Sequence, residues 1–269
     1  MLDGWALGEK RWKKAAYTAL IEAGNLRGAA CLHALTAAEA ADYRLISRHV
    51  PIAVIPNGVE IAPATSARFL ERFPALRNRQ LILFLGRIHF KKGVDILAQA
   101  WGRIQRHWPD AHLVFAGPDF EGTRARAESL IASHDLTRHV TFTGMLDGPD
   151  KWSALQSAHC FVLPSHSEGL SVSVLEALGS GVPVIVSPQC HLPAIAEAGA
   201  GWISEPRVDT LASVLAEALR ISGASREQMG ASGRALVRSR YSWPVVGAQM
   251  GELYSWMLGG RLPQNVEVL

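Results

Sequence analysis

The sequence lacks the patterns of several common functional sites. Its three cysteines, Cys31, Cys160 and Cys190, lie far apart, with no CxxC pair and no His/Cys cluster of metal-ligand spacing. No GxGxxG follows a strand pattern, and neither GxSxG nor HExxH occurs. These absences argue against a zinc site, a dinucleotide oxidoreductase, an α/β-hydrolase and a zinc metalloprotease.

Long apolar segments are lacking as well. The first residues, MLDGWALGEKRWKKAAY, contain no apolar core of signal-peptide length, and no run approaches the roughly 18 apolar residues of a membrane span. An odd number of scattered cysteines is typical of a reducing compartment. We therefore predict a cytoplasmic location.

Neither sign of charge is in large excess. The 269 residues carry a formal net charge of +3, and 48% of them are hydrophobic against 19% charged. Such a composition indicates a packed core and little disorder. The mild basic balance suits an anionic small ligand, but it lacks the dense basic stripe that predicts a nucleic-acid partner.

Short apolar strands alternate with helical patterns through most of the chain. Strands that are apolar throughout indicate a parallel sheet covered on both faces, so we predict a doubly wound α/β fold with a single Rossmann-like domain. Ligands of such sheets bind at the carboxyl ends of the strands. The strands of the main alternation are predicted at 81–86, 112–117, 140–144, 160–164, 183–187 and 201–204.

Basic residues follow the first of these strands. In FLGRIHFKKG, Gly86 ends the strand, and Arg87, Lys91 and Lys92 precede a helix that is predicted to start at Gly93. Cations at the carboxyl end of a strand can form an anion site, because arginine can hold phosphate oxygens through two hydrogen bonds and lysine adds a point charge. A solvated basic turn explains the same residues equally well.

A loop and a helix follow the predicted strand at 160–164. In SHSEGLSVSVLEALGSGVPVIVS, Glu168 lies in the loop, and the N–H groups of Gly169, Leu170 and Ser171 are predicted to open the helix. Free N–H groups at a helix start bind anions, and glycine lets a ligand approach the backbone. Glu168 could equally be a solvated acid.

A second carboxylate, Glu176, lies about two turns into this helix. Carboxylates hold vicinal hydroxyls such as those of a ribose. Ser173 and Glu176 also have the spacing of a capping box, in which the glutamate only closes a helix start. Spacing alone leaves the two interpretations equal.

Three further turns follow predicted strands. The PNG at 56–58 predicts a positive φ at Gly58. The segments at 117–119 (GPD) and 143–146 (TGML) lie at the face where a ligand is expected, although each is also ordinary loop geometry.

Together these motifs resemble one enzyme family. The order PNGV, GR-x(4)-KG, GPD and S-x-x-EGLSVSVLEALGSGVPVI is similar to that of the retaining GT-B glycosyltransferases that use nucleotide sugars, known as glycosyltransferase family 4 or group 1. The resemblance runs from about residue 46 to residue 240 and implies the C-terminal, donor-binding half of a GT-B fold.

The resemblance implies a role for each phosphate-facing residue. Arg87 and Lys92 would hold the donor diphosphate and stabilise it as the leaving group, with Gly86 beside them. The backbone around residues 169–171 would bind the same phosphates and donor-sugar hydroxyls. No divalent metal and no further cofactor would be needed, since these cations and the helix start supply the positive field.

Other residues would contact the sugar and the nucleoside. The resemblance implies that Glu168 contacts the transferred sugar and Glu176 the ribose, while Gly144, Met145 and Leu146 border the base. The donor would be of the UDP or GDP type, and the anomeric configuration would be retained. No conventional nucleophile is expected.

The sequence departs from the family in two respects. Ala194 stands where a glutamate is usual, which puts donor-sugar contacts there in doubt. Two GT-B halves would need roughly 350 residues or more. We therefore expect most of the acceptor half to be absent, as in a fragment, a mis-started gene or a split enzyme. The expected division is a remnant or helical segment at 1–45, the nucleotide-sugar domain at 46–240 and a C-terminal helix at 241–269 that would pack towards the missing half.

Three functions follow. The first is the donor half of a glycosyltransferase, with an unknown acceptor such as a glycan or a lipid-linked sugar. The second is a non-catalytic module that binds a nucleotide sugar or a separate N-terminal half, suggested by tryptophans near both ends that could equally pack on this domain. The third is a peripheral membrane contact through KRWKK at 10–14, for which a solvated helix face is favoured. The tryptophans are Trp5, Trp12, Trp243 and Trp256.

Overall fold

The computed structural model describes residues 23–61 and 67–268. The described residues divide into two compact units, one of residues 23–58 with 240–268 and one of residues 59–61 with 67–239. KRWKK at 10–14, Trp5 and Trp12 lie outside the described residues. The functional division at 45/46 and 240/241 stays a prediction.

The strands and helices are numbered along the chain. The strands are β1 (Leu32–Ala34), β2 (Ile52–Val54), β3 (Gln80–Leu85), β4 (Ala111–Ala116), β5 (Val140–Gly144), β6 (Cys160–Leu163), β7 (Val184–Val186), β8 (Gly201–Ile203) and β9 (Val266–Glu267). The helices are α1 (Ala23–Gly28), α2 (Ala37–Ile46), α3 (Arg68–Arg72), α4 (Val94–Ile104), α5 (Thr123–Ser133), α6 (Gly148–Ser157), α7 (Val172–Gly179), α8 (Ala194–Glu197), α9 (Val208–Arg220), α10 (Gly223–Arg240) and α11 (Trp243–Met257).

The larger unit contains a six-stranded parallel sheet in the order β5-β4-β3-β6-β7-β8. Counted along the chain from one to six, these strands follow the order 3-2-1-4-5-6 of Rossmann folds. Every residue of β4, β6 and β7 is buried, as expected where helices cover both faces of a parallel sheet. The predicted doubly wound α/β architecture is confirmed for this unit.

Aromatic side chains fix the register of three neighbouring strands in this sheet. Phe84, Phe115 and Phe142 are cross-strand partners on β3, β4 and β5. The ring centroids of Phe84 and Phe115 are 5.5 Å apart, and those of Phe115 and Phe142 are 4.9 Å apart and stacked. A slip of one residue would move a whole side-chain set to the other face, so this row of rings specifies the pairing.

The smaller unit has its own three-stranded sheet. β1 pairs in parallel with β2, and β9 pairs antiparallel with β2. The sequence did not predict β9, because two residues are too short for an alternation to show. A core of Ala53, Ile55, Val246, Leu253 and Val266 joins β2 and β9 to α11, and Trp256 packs partly buried against it.

The prediction of a positive φ at Gly58 is wrong. Gly58 lies outside the positive-φ glycines of the described residues, and its lack of a side chain serves another purpose. A Cβ at Gly58 would lie 2.5 Å from Cε3 of Trp243, so the indole of α11 packs directly on this glycine. Close packing, and not turn geometry, requires glycine here.

The short helix α3 was not predicted. It has five residues, and Phe69 is its one buried member, so no helical periodicity is visible. Tertiary contacts hold it against α6: Ser153 Oγ accepts a hydrogen bond from the N–H of Phe69 at 3.0 Å. Arg68 and Arg72 bond the two carboxylate oxygens of Asp150 at 2.9 and 3.1 Å, and these arginines lower the pKa of Asp150.

Candidate functional site

The candidate site lies where the strand order reverses, at the carboxyl ends of β3 and β6. These strands are far apart in sequence but hydrogen-bonded neighbours in the sheet. Gly93, at the start of α4, has φ +70°, and a Cβ there would lie 2.1 Å from the carbonyl oxygen of Pro164. Glycine thus allows the segment after β3 to lie directly on the end of β6.

Hydrogen bonds join the loops that follow β3, β6 and β7. The carbonyl of Lys91 accepts from Ser165 Oγ at 2.9 Å and from the N–H of His166 at 2.8 Å. Ser187 Oγ, at the end of β7, donates to the carbonyl of Ser165 at 2.6 Å. Ser165 and Ser187 are buried, so the floor of the site is a connected polar network.

Lys92 and Glu168 form an ion pair on this floor. Lys92 Nζ lies 2.6 Å from Oε1 and 2.8 Å from Oε2 of Glu168. The carboxylate side chain is only 9% exposed and the lysine side chain 20%, so solvent screens the pair weakly. The N–H of Glu168 donates to the carbonyl of Gln189 at 3.2 Å, which also fixes its backbone. The structure therefore brings two of the predicted site residues together.

Arg87 follows β3 on the same sheet edge, and its side chain contacts an aromatic ring. It is exposed, and its Cζ lies 5.2 Å from the ring centroid of Phe120 in the loop after β4. A guanidinium over an aromatic face is held by a cation–π contact and still presents its N–H groups. Gly86, just before Arg87, donates its N–H to the carbonyl of Ala116 at 2.9 Å and continues the ladder between β3 and β4.

Glu176 is paired with a lysine that the sequence did not single out. Lys151 Nζ lies 2.6 Å from Glu176 Oε1, and the side chains are 24% and 14% exposed. The lysine also lies 4.5 Å from the ring centroid of Trp152. α7 starts at Val172 with Ser171 as its N-cap residue, so Ser173 is inside the helix. The capping-box interpretation of Glu176 is therefore wrong.

α7 starts at Val172, after the three residues that were predicted to open it. Gly169, Leu170 and Ser171 belong to the approach to the helix, so its first-turn N–H groups come from residues 172–174. Leu170 and Ser171 are buried, whereas Gly169 is exposed and a Cβ there would have no heavy atom within 4 Å. The exposed backbone at Gly169 leaves room for a ligand.

The segment predicted to border the base follows β5. Gly144 has φ +73° and its carbonyl accepts the N–H of Gly117 at 2.8 Å, so the ends of β4 and β5 are joined. Met145 is 67% exposed, whereas Leu146 is buried. Only the methionine of this pair presents its side chain at the surface.

The thiol nearest the site is unsuited to nucleophilic catalysis. Cys190 is buried beside Ser187 in the turn after β7, and burial raises the pKa of its thiol to about 12. A thiol that stays protonated is a poor nucleophile. Ala194, at the position where the family glutamate is usual, is buried in α8.

The order of the motifs, and their position where the strand order reverses, agree with a known family. The family model described as "Glycosyl transferases group 1" matches residues 68–236, more than half of the chain. The chain belongs to this family. The matched region includes β3 to β8 and all the candidate site residues.

Individual relatives of this group 1 chain cover most of it. Phosphatidyl-myo-inositol mannosyltransferase from Mycobacterium tuberculosis (strain CDC 1551 / Oshkosh) is 30% identical over 213 residues, which are 76% of this chain and 54% of that protein. The chain thus spans about half the length of the curated relatives it matches.

Solved structures share the fold. Sucrose-phosphate synthase from Thermosynechococcus elongatus superposes with a TM-score of 0.78 at 25% identity and covers 93% of this chain and 65% of its own. Anabaena HepE, solved in complex with UDP and glucose, superposes with a TM-score of 0.75 at 18% identity, over 87% of this chain and 67% of its own. The predicted match to the C-terminal half of a GT-B fold is confirmed.

The described part of the chain shows neither a metal-ligand cluster nor a membrane-spanning helix. In the described ranges, no three His, Cys, Asp or Glu side chains are grouped so that they could hold a metal ion. None of the helices within those ranges has the length and apolarity needed to cross a membrane. Metal independence and the cytoplasmic location stay predictions.

Sequence reasoning missed Lys151, although a signal was present. It lies in α6, directly after the β5 loop, and so on the edge already chosen for the site. Its charge alone did not distinguish it from a solvated helix residue. The roles of the remaining site residues stay predictions.

Proposed function

We propose that this chain binds a nucleoside-diphosphate sugar and forms the donor half of a retaining glycosyltransferase. The observation that carries the proposal is the Lys92–Glu168 pair at the point where the strand order reverses, 2.6 Å from Nζ to Oε1. In open α/β sheets this point is where ligands bind. A cation and a carboxylate side by side suit a ligand that has a phosphate next to a hydroxyl-bearing sugar.

In this proposal the diphosphate is held by Arg87, Lys92 and the first turn of α7. Transfer breaks the bond between the anomeric carbon and the phosphate oxygen, and its electron pair goes to the leaving diphosphate. The two cations and the helix start stabilise that developing charge. The acceptor oxygen forms its bond on the same face of the sugar and passes its proton to the leaving phosphate oxygen, so the configuration is retained.

The carboxylates contact the neutral parts of the donor. Glu168 accepts hydrogen bonds from hydroxyls of the transferred sugar, and Glu176 accepts them from the ribose. Both side chains are less than 15% exposed, at 9% and 14%. Hydrogen bonds to charged groups contribute about 1.5–3 kcal/mol each in such surroundings. Gly144, Met145 and Leu146 border the base.

The names of the relatives fit a nucleotide-sugar donor, which we propose to be of the UDP or GDP type. One relative is named as a mannosyltransferase, one neighbour as a sucrose-phosphate synthase, and another was solved with UDP and glucose. The name of the mannosyltransferase contains a lipid, phosphatidyl-myo-inositol, and on that basis a lipid-linked acceptor is one candidate here, beside a glycan. We propose a cytoplasmic, metal-independent reaction.

Calorimetry tests the donor site. We expect the chain to bind UDP, GDP or ADP without added metal. Arg87→Ala and Glu176→Ala should each raise the Kd at least about tenfold. Arg103→Ala is the control, since Arg103 pairs with Asp209 on the exposed face of α4 and α9. If none of the three nucleotides binds, or if all three variants bind like the parent chain, the proposal fails.

A second candidate function is a non-catalytic module that binds a partner. It is favoured by apolar side chains exposed near the C-terminal end, where Trp243 is 56% and Leu258 89% exposed. Against it, Trp256 packs, partly buried, against the core of its unit, and the ring of Trp243 covers Gly58. Multi-angle light scattering tests self-association, and a mass that stays monomeric at all concentrations would argue against it. A pull-down with a separately expressed N-terminal half would test whether the chain is one part of a split enzyme.

The membrane contact proposed for residues 10–14 has a separate test. Replacing the four basic residues of KRWKK by glutamine should abolish sedimentation with anionic vesicles if the segment binds lipid. Parent protein that stays in the supernatant would refute this contact while leaving the donor site unaffected.

A further inference from the structure

We propose that Phe120 is a positioning residue that holds the guanidinium of Arg87 ready for the donor diphosphate. The inference rests on the proposed function, because it assigns Arg87 to the diphosphate. Phe120 lies in the loop after β4, outside the motifs that identified the site. It would touch no part of the donor and would act only through Arg87.

The backbones that carry the two side chains are joined. Ile88 donates its N–H to the carbonyl of Pro118 at 2.8 Å, and Phe120 donates its N–H to the carbonyl of Ile88 at 3.0 Å. Ile88 and Asp119 thereby form a parallel bridge beyond the ends of β3 and β4. Since Ile88 is 1% exposed, this bridge is anchored in the core. The loop of Phe120 therefore has a defined place beside Arg87.

The side chains of Arg87 and His89 both contact the ring of Phe120. Arg87 Cζ lies 5.2 Å from the centroid of the Phe120 ring, and the ring of His89 meets the same ring edge-on at 5.1 Å. His89 Nε2 lies 3.4 Å from Glu121 Oε2, on the residue that follows Phe120. The ring is thus held from its backbone and from one edge while it faces the arginine.

Core packing does not explain an aromatic residue at this position. Phe120 is 40% exposed, so much of its ring contributes nothing to the interior. An arginine side chain has several rotatable bonds, and ordering it costs free energy when a ligand binds. A ring that restricts the guanidinium beforehand lowers that cost and leaves the N–H groups free to reach phosphate.

The alternative is that Phe120 only closes its loop, and a double-mutant cycle separates the two roles. Calorimetry would measure binding of UDP, GDP and ADP to the parent chain, Phe120→Leu, Arg87→Ala and the double variant. Phe120→Tyr keeps the ring and tests rescue. Trp108→Leu is the matched control, because it removes a similar contact in which Arg220 Cζ lies 5.9 Å from the centroid of the Trp108 ring. Trp108 precedes β4, whereas Phe120 follows it, so the control contact lies at the opposite end of that strand.

We expect Phe120→Leu to raise the Kd of the bound nucleotide about two- to fivefold, the range of an exposed cation–π contact. The same change should have no effect in the Arg87→Ala background, and Phe120→Tyr and Trp108→Leu should bind like the parent. Thermal melts should show Phe120→Leu folded, as expected for a half-exposed side chain.

Two results would overturn the inference about Phe120 and leave the proposed function intact. The first is an equal effect of Phe120→Leu on the Kd with and without Arg87, which would indicate a general structural role. The second is no effect on the Kd in either background. Failure of the parent chain to bind any of the three nucleotides is a different result. It would refute the proposed function and this inference together.

Discussion

Lys92 and Glu168 meet across the point where the strand order reverses, with Nζ 2.6 and 2.8 Å from the two carboxylate oxygens. The residues are 76 positions apart in sequence. Lys92 ends the turn after β3 and Glu168 lies in the loop after β6, so the pair exists because these strands are neighbours. It gives the site a fixed cation and a fixed acceptor before any ligand arrives.

The first prediction concerns the energy of this pair. Lys92→Met should destabilise the fold by about 1–3 kcal/mol, because it leaves a largely buried carboxylate without this partner. The double variant with Glu168→Gln should cost less than the sum of the single variants. Urea unfolding of the four proteins measures the coupling.

The matched control for this cycle is the exposed pair of Arg103 and Asp209, whose side chains are 53% and 67% exposed. Its coupling should be near zero, as for most surface pairs. Additive effects at Lys92 and Glu168 would contradict the view that the two charges stabilise each other.

The second prediction concerns the ribose. If Glu176 accepts hydrogen bonds from vicinal hydroxyls, the chain should bind UDP or GDP about tenfold or more tightly than the 2′,3′-dideoxy analogue. Glu176→Ala should remove that preference, whereas Glu197→Ala, at an exposed carboxylate on α8, should keep it. Calorimetric titration with both nucleotides measures the ratio. If Glu176→Ala weakened the binding of the nucleotide and of its dideoxy analogue equally, Glu176 would not act through the ribose hydroxyls.

The third prediction separates two glycines by their surroundings. Gly93→Ala combines a left-handed φ of +70° with a Cβ 2.1 Å from the carbonyl oxygen of Pro164, so it should cost more than about 2 kcal/mol of stability. Gly169→Ala meets no heavy atom within 4 Å and should leave the melting temperature nearly unchanged. It should still weaken nucleotide binding, since the methyl group would occupy the space left for a ligand. A Gly93→Ala variant as stable as the parent, or a Gly169→Ala variant that fails to fold, would contradict this.

The fourth prediction concerns stability at acidic pH. His112 on β4 is buried and hydrogen-bonded to Thr141 Oγ1 at 2.9 Å; burial, with help from Arg79 and His139, lowers the pKa of His112 from 6.5 to about 4. Between these values the unfolded chain binds a proton that the folded chain does not. The free energy of unfolding should therefore fall as the pH drops from 6.5 towards 4, by on the order of 3 kcal/mol.

Urea unfolding at pH 7, 6 and 5 measures this loss. His112→Gln keeps a side chain that can bond Thr141 but does not titrate, so it should flatten the slope. Burial also lowers the pKa of His159, which should account for part of the remaining slope. The same pH dependence in parent and His112→Gln would show that His112 is not the cause.

Much of the fold was visible in the sequence because it follows from local patterns. Strands that are apolar throughout predict a sheet covered on both faces, and their alternation with helices predicts parallel crossovers. The elements that the sequence did not predict are short or are held by tertiary contacts alone. α3 shows no periodicity and depends on Ser153 and Asp150, and β9 has only two residues. At Gly58 the turn motif was misleading, because the requirement for glycine comes from Trp243, far along the chain.

The sequence by itself determined on which edge of the sheet the predicted site residues lie. The carboxyl ends of parallel strands lie at the same edge of a sheet. Arg87, Lys92 and Glu168 each come after such a strand, so all three lie at that edge. Only the tertiary structure decided which charges meet. Lys92 contacts Glu168 because β3 adjoins β6, and Lys151 contacts Glu176 at 2.6 Å because α6 lies beside α7. Strand order and helix packing depend on how whole elements bury their faces together, and no local spacing encodes that.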